Sequence, residues 1–208
     1  MQKKVYFCSG FKTFISMKKI LTIALMALMV LPAWAGKTPK KWNFQLNDEG
    51  ECVIERTYNT SKDAASALKG VKAAINKQTF EDRKIVSQSE DQIQYALKKN
   101  TKSRYNPFAG NFNEAMEFKM NVVYKEGKVV ITINDLALEN RYEGYGKNTT
   151  NDSFAGKISD YEEAVAKAIS SKGKAKKEAE EVIENTNDSF NMCEEELEKI
   201  FSAIQQKL

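Results

Sequence analysis

Between Phe112 and Tyr124 the apolar side chains fall on even positions: Phe112, Met116, Phe118, Met120, Val122 and Tyr124. Glu117, Lys119, Asn121 and Lys125 occupy the odd ones, which is the period-2 pattern of a strand with one buried face. Lys125-Glu126-Gly127-Lys128 supplies turn chemistry, and Val129, Ile131 and Ile133 resume the alternation. The pattern predicts a β-hairpin with its even face, up to the turn, in the core. Upstream, Trp42, Phe44 and Leu46 alternate with polar residues and run into the turn cluster 47–50. A short first strand is expected there, paired with a β-rich stretch over 51–58. Asn59-Thr60-Ser61 offers a helix cap, and Ala64, Leu68, Val71 and Ile75 recur at helical spacing to about Lys77. Gly70 inside this helix marks close packing rather than a break.

Ile85 and Val86, then Ile93, Tyr95 and Leu97, mark two further strands separated by the polar stretch 87–91. Lys98, Lys99, Lys102 and Arg104 read as a basic loop before Pro107. Beyond Leu138 the alternation ends, and residues 139–157 carry three glycines and two tyrosines without a period, which reads as a surface loop. Ser159 and Glu162 have capping-box spacing, opening a helix to about Glu184 that Gly173 interrupts. Residues 185–189 end that helix and cap another, with Cys193, Leu197, Ile200, Ile204 and Leu208 on one face. The sequence TNDSF occurs at 150–154 and again at 186–190. Two similar helix caps explain the echo, and modification at Asn151 and Asn187, each opening an N-x-S triplet, is the alternative.

The first 35 residues change the meaning of the net charge of +4. Lys3, Lys4, Lys12, Lys18 and Lys19 lie there with no acidic residue, and without them 27 basic residues face 28 acidic ones. The near-neutral remainder is not the footprint of a nucleic-acid binder. Met17-Lys18-Lys19, the apolar run from Ile20 to Leu31, and Ala33 and Ala35 in an A-x-A site form the three parts of a secretory signal. The expected start is Met17 and the expected cleavage follows Ala35. The 16 residues before Met17 read as an upstream start. The apolar run is shorter than the roughly 20 residues a span needs, so no transmembrane segment is expected after cleavage, although a retained N-terminal anchor is the alternative. A periplasmic or secreted protein follows.

In such a compartment Cys52 and Cys193 can pair, yet both also fit apolar faces as small buried hydrophobes. No histidine is present, and no metal set or cofactor site is expected from two isolated cysteines.

From residue 51 the predicted order is strand, helix, four strands, helix. With the stretch 59–63 (NTSKD) opening the first helix, the long hairpin MEFKMNVVYKEGKVVITINDLAL and a charged helical tail, the chain resembles a secreted Bacteroidetes family of unknown function with a TATA-box-binding-protein-like fold. The resemblance implies an α+β fold: a single β-α-β-β-β-β-α unit, an antiparallel sheet with helices on one face, and a C-terminal helical tail. The expected organisation is a leader over 1–35, an α+β domain over 36–140, a loop over 141–157 and helices over 158–208. The family supplies no functional residues. DNA binding is not implied, because it uses a duplicated saddle with a basic, wedge-bearing sheet.

Three surfaces remain as candidates. The odd face of the hairpin, with Lys119, is either a solvated face or a platform for a protein or glycan, with Val123 and Val130 as apolar patches. Lys98, Lys99, Lys102 and Arg104, flanked by Tyr95 and Tyr105, could meet an anionic envelope polymer or be a soluble loop. Tyr142 and Tyr145 between glycines resemble sugar-stacking loops in composition. Catalysis has little to draw on: without histidine neither serine nor cysteine has its usual base, which leaves only a carboxylate pair such as Asp135 and Glu139 for a hydrolase. The sequence therefore points to an exported non-catalytic protein that binds an unknown envelope or extracellular partner, protein or glycan. The alternative is an assembly accessory acting through its C-terminal helices.

Overall fold

Strands β4 (Gly110–Lys125) and β5 (Lys128–Gly144) form the predicted hairpin, paired from Lys125↔Lys128 out to Asn111↔Glu143. Its two-residue loop holds Glu126 at φ 51° and Gly127 at φ 74°. Two positive φ values in succession give the type I′ turn, whose twist matches that of the strands it joins. The computed structural model describes residues 40, 42–106, 110–144 and 146–208, and of residues 104–106, 110, 143–144 and 146–148 the backbone alone. The leader, Cys8 and Tyr145 lie outside the described residues.

Four more strands complete an antiparallel sheet: β1 (Ile54–Asn59), β2 (Asp82–Gln88), β3 (Gln92–Asn106) and β6 (Gly146–Ser153). The order is β1-β5-β4-β3-β2. β1 and β6 share one side of β5, β1 against residues 128–133 and β6 against 137–144. A bulge divides β5 between these two partners. From Glu117↔Ala137 to Lys119↔Asn134 the pairing advances two residues on β4 and three on β5, and Asp135 takes φ 53°. The extra residue moves the inward set from Val129, Ile131 and Ile133 to Leu136 and Leu138, all buried.

The inward face carries Ile93, Tyr95 and Leu97 of β3 and Met116, Phe118, Met120 and Val122 of β4, all buried. Three helices cover it: α1 (Ala64–Lys77), α2 (Phe154–Ser170) and α3 (Gly173–Gln205), with α3 touching both others. The α+β class, the one-sided antiparallel sheet and the helical C-terminal region are as expected, and α1 ends where its periodicity does. Gly70 marks close packing: a Cβ there would lie 2.6 Å from the carbonyl oxygen of Lys207.

Other expectations are corrected. Residues 42–46 form no strand, only the bridge Leu46↔Cys52, because Trp42 and Phe44 turn into a cluster with Phe154, Tyr161 and Phe190. The cap of α1 is Asp63, whose carboxylate accepts from Ser66 N at 2.7 Å, rather than the residues before it. The stretch 139–157 is no loop but the end of β5, all of β6 and the start of α2. Arg141 is half-buried and Tyr142, Thr149, Thr150 and Asn151 are exposed, so the backbone ladder holds this end of the sheet and no apolar period is written into it. Ser159 lies inside α2, whose cap is Ser153, accepting from Gly156 N at 3.1 Å.

Residues 185–189 do not break α3 either. Thr186, Asn187 and Phe190 are buried, Ser189 Oγ donates to Glu114 Oε2 at 2.6 Å, and Phe190 stacks on Phe154 at 4.6 Å. The two TNDSF stretches are thus one cap and one mid-helix contact whose phenylalanines pack on each other. Cys52 and Cys193 are buried free thiols rather than a disulfide. Burial pushes Cys52 up to about 11 against a weaker lowering by Lys40, and burial, with the Glu114 charge, holds Cys193 well above the usual thiol range.

Phe118→Asp places a carboxylate in the core and is expected to unfold the protein, since the loss of packing and the buried charge together exceed ~5 kcal/mol. Lys119→Glu, one position along, should change stability by about 0.5 kcal/mol or less. Reversed effects in thermal melts would reject the register. Gly70→Ala should destabilise by about 1–3 kcal/mol in urea unfolding, although alanine is the better helix former. A gain in stability would show that α1 and the end of the chain are not in close contact.

Candidate functional site

Strand alternation places a second, polar set of side chains opposite the helices. On this open face lie Gln92, Gln94, Ala96 and Lys98 of β3, Glu117, Lys119, Asn121 and Val123 of β4, and Val130, Thr132 and Asn134 of β5, followed past the bulge by Ala137, Glu139 and Arg141. Val123 and Val130 are cross-strand partners and both are half-buried by their neighbours.

The charges among these residues of β3, β4 and β5 are bonded to one another, to Asp135 or to Glu81, while Glu55 of β1 and Asp82 and Lys84 of β2, on the same face by register, are exposed. Lys98 Nζ lies 2.7 Å from Glu117 Oε1 and 2.5 Å from Glu139 Oε2. Arg141 completes the strip, donating from Nε to Glu139 and from a terminal nitrogen to Glu81. Lys119 pairs separately with Asp135 at 2.8 Å, and Gln92 Nε2 donates to Asn121 Oδ1 at 2.7 Å. Burial opposes the charge on both Glu139 and Lys98. The bonds from Lys98 and Arg141 nevertheless hold the Glu139 carboxyl below its usual value, and those from Glu117 and Glu139 raise Lys98. The carboxylates considered as a catalytic pair, Asp135 and Glu139, therefore belong to different cations.

The expected basic loop is part of β3, and its residues do not act together. Lys98 belongs to the open-face strip. Lys99 is buried on the helix side, donating to the Thr79 carbonyl at 3.0 Å and pairing with Glu196 of α3 at 3.1 Å. Lys102 is half-buried and registers opposite Glu114. Arg104 and Tyr105 are register partners of Phe112 and Asn111, and their side chains lie outside the description. Tyr142 is 36% exposed and opposite Phe112, on the helix-side row beyond the bulge, so it does not belong to the open face.

Buried nucleophiles are present but enclosed. Glu114 accepts from Thr101 Oγ1 at 3.1 Å and from Ser189, next to the Cys193 thiol, in a polar seam between β3, β4 and α3. The burial that raises the thiol pKa also removes the reactive thiolate. Among the described residues no group of three or more His, Cys, Asp or Glu side chains could hold a metal ion, and no helix is long and apolar enough to cross a membrane. The helices bury most of their apolar residues against the sheet and one another, leaving Ile169 of α2 and Val182 of α3 exposed, and a groove of about 730 Å³ beside α3 is lined by Gln78 and by polar residues including Glu194, Glu195 and Glu198.

Sequence reasoning missed the partnership of Lys98 with Glu139 and the whole role of Glu81 and Arg141. Lys98 and Glu117 are legible once the β3–β4 register is known, but Glu139 enters only after the one-residue shift at Asp135.

Because Glu139 has a lowered folded pKa, its contribution to stability is present above its usual value of 4.5 and is lost as pH falls from there through the folded value. Glu139→Gln should lower stability at neutral pH by about 1–3 kcal/mol and flatten the acid limb of the stability–pH curve. Urea unfolding measured across that range checks it, and an unchanged acid limb would mean that the strip is not formed.

No family model matches the chain, and no curated protein does. Two solved structures are similar to it. One is a TBP-like protein from Parabacteroides distasonis, with 14% identity and a TM-score of 0.46, covering 77% of this chain and 96% of the other. The second is a DUF4468 family protein from Bacteroides ovatus, with 11% identity and a TM-score of 0.48, covering 81% of this chain and 96% of the other.

Proposed function

We propose that the protein is an exported, non-catalytic binding protein whose open sheet face receives another protein of the cell envelope or the extracellular space. The observation that carries this reading is the face itself: among the described residues the three helices lie on one side of a six-stranded sheet, and the other side presents amides, small apolar residues and a strip of mutually bonded charges. A protein is favoured over a glycan because the open-face residues with described side chains include no aromatic ring on which a sugar could stack, Tyr105 being placed on this row by its backbone register alone. Export is supported by the leader pattern of Met17-Lys18-Lys19, the apolar run to Leu31 and the A-x-A site ending at Ala35. The absence of catalysis is supported by the lack of histidine, by the ion pairing of Asp135 and Glu139 with different partners, and by the burial of Cys193.

A photo-crosslinking residue installed at Gln94 or Thr132 of the exported protein should yield one adduct of defined mass in cells. The same residue at Glu195, exposed on α3, should not. Val123→Arg together with Val130→Arg should abolish the adduct and leave the melting temperature within a few degrees of the parent. Adducts from Glu195 alone would move the reading to assembly through the helices. Retention on an envelope glycan that depends on Tyr142 would move it to sugar binding. N-terminal sequencing of the exported chain should begin at Gly36.

A further inference from the structure

The chain enters the fold through a fork. Asn47 closes a turn, its amide donating to the Glu51 carbonyl at 2.8 Å and its side-chain oxygen accepting from the amides of Glu49 and Glu51, and the limbs then meet at the single bridge Leu46↔Cys52. Beyond that bridge they part. Trp42 and Phe44 are drawn into the aromatic cluster of α2 and α3, whereas Ile54–Asn59 stays hydrogen-bonded to β5. A cleft of about 250 Å³ opens between residues 43–45 and residues 53–56, and Leu197 and Phe201 of α3 also line it.

Two features make this cleft a docking site and say what fits it. β1 is an edge strand, and among the described residues no strand pairs with its outer side. Such an edge presents a row of unpaired amides and carbonyls, which an added strand satisfies whatever its side chains. The residues 53–56 are long enough, at about 3.3 Å per residue, to pair with a few residues of extended chain. The charges on the lining set the side-chain preference: Glu194, which accepts from Asn43 Nδ2 at 2.8 Å across the cleft, Glu198, paired with the Arg56 guanidinium at 2.9 Å, and Glu55 on the adjoining open-face row beside Thr132. The surplus is negative, and Val53, 37% exposed, offers an apolar contact at the mouth.

We propose that this fork binds an extended peptide segment carrying a lysine or arginine, which adds to the free edge of β1 with its basic side chain beside Glu194 and Glu198 and an apolar one against Val53. The site is separate from the open face and does not depend on it. The probes are a short peptide alternating valine and lysine and its counterpart alternating valine and glutamate, titrated into the full mature chain and followed by backbone amide shifts. The lysine peptide should bind saturably, at least about tenfold tighter than the glutamate peptide, a difference of about 1.4 kcal/mol. Its shifts should be confined to residues 43–45, 53–56 and 194–201. Glu194→Gln combined with Glu198→Gln should weaken it several-fold, and Val53→Lys, at a position exposed enough to accept the change, should do the same with the melting temperature retained. Equal binding of the two peptides, shifts centred on the open face, or no saturable binding would each overturn the proposal.

Discussion

Side chains on a strand alternate, so β5 can keep one face apolar along its 17 residues only if something resets the alternation where the sequence does. Asp135 does this. By taking a positive φ that aspartate tolerates better than most residues, it inserts one position and turns Leu136 and Leu138 toward the helices. Without that insertion, Ala137, Glu139 and Arg141 would point into the core and two leucines into water. β5 also pairs with β1, β4 and β6, so the same residue sets the register of half the sheet. The helix-side core and the charged strip on the open face both depend on it.

The bulge also marks where the sequence stops being legible. Up to Ile133 the alternation is unbroken and the hairpin, its turn and its buried face can be read directly. At Asn134-Asp135 the apolar set changes parity, and a one-residue shift looks the same as the end of a strand, so the stretch from Glu139 onward reads as a loop. β3 hides itself by a similar device: Lys98 and Lys99 look like the start of a basic loop, yet Lys98 is neutralised across the open face and Lys99 lies beneath α3 against Glu196. The bulge at Thr101 then shifts the pairing with β4 by one. Single-residue irregularities and charges whose partners lie on other strands carry no local signal.

The helices divide in the same way. α1 is legible because its apolar stripe, and the glycine that lets Lys207 approach, are both local properties of one segment. α3 is not, because the polar run 185–189 has the composition of a break but uses its side chains for tertiary contacts: Ser189 to Glu114 and Phe190 to Phe154. Capping residues are favoured at helix ends because their side chains otherwise compete with the backbone. Given a partner across the core, they remain in mid-helix, and only the fold supplies that partner. The same cluster explains why Trp42 and Phe44 leave the separate first strand that their alternation predicts: both rings are buried edge-on against Phe154, Tyr161 and Phe190 between α2, α3 and the entering chain.

The open face combines these features in a way that constrains any partner. The charges at its centre are already bonded to one another, so they exert little long-range field, and a near-neutral body adds none. A protein that settles on this face must cover Lys98, Glu117, Glu139 and Arg141 without breaking their bonds, because stranding one charge of a covered pair costs several kilocalories per mole. Affinity must then come from Val123, Val130, Ala96 and Ala137, whose apolar surface is small. The strip contributes chiefly by excluding partners that do not match it, which is the usual role of interfacial charge. A face built this way suits a partner selected for shape and held at moderate strength, in contrast to the fork at β1, where an unbalanced negative rim lies beside unsatisfied backbone.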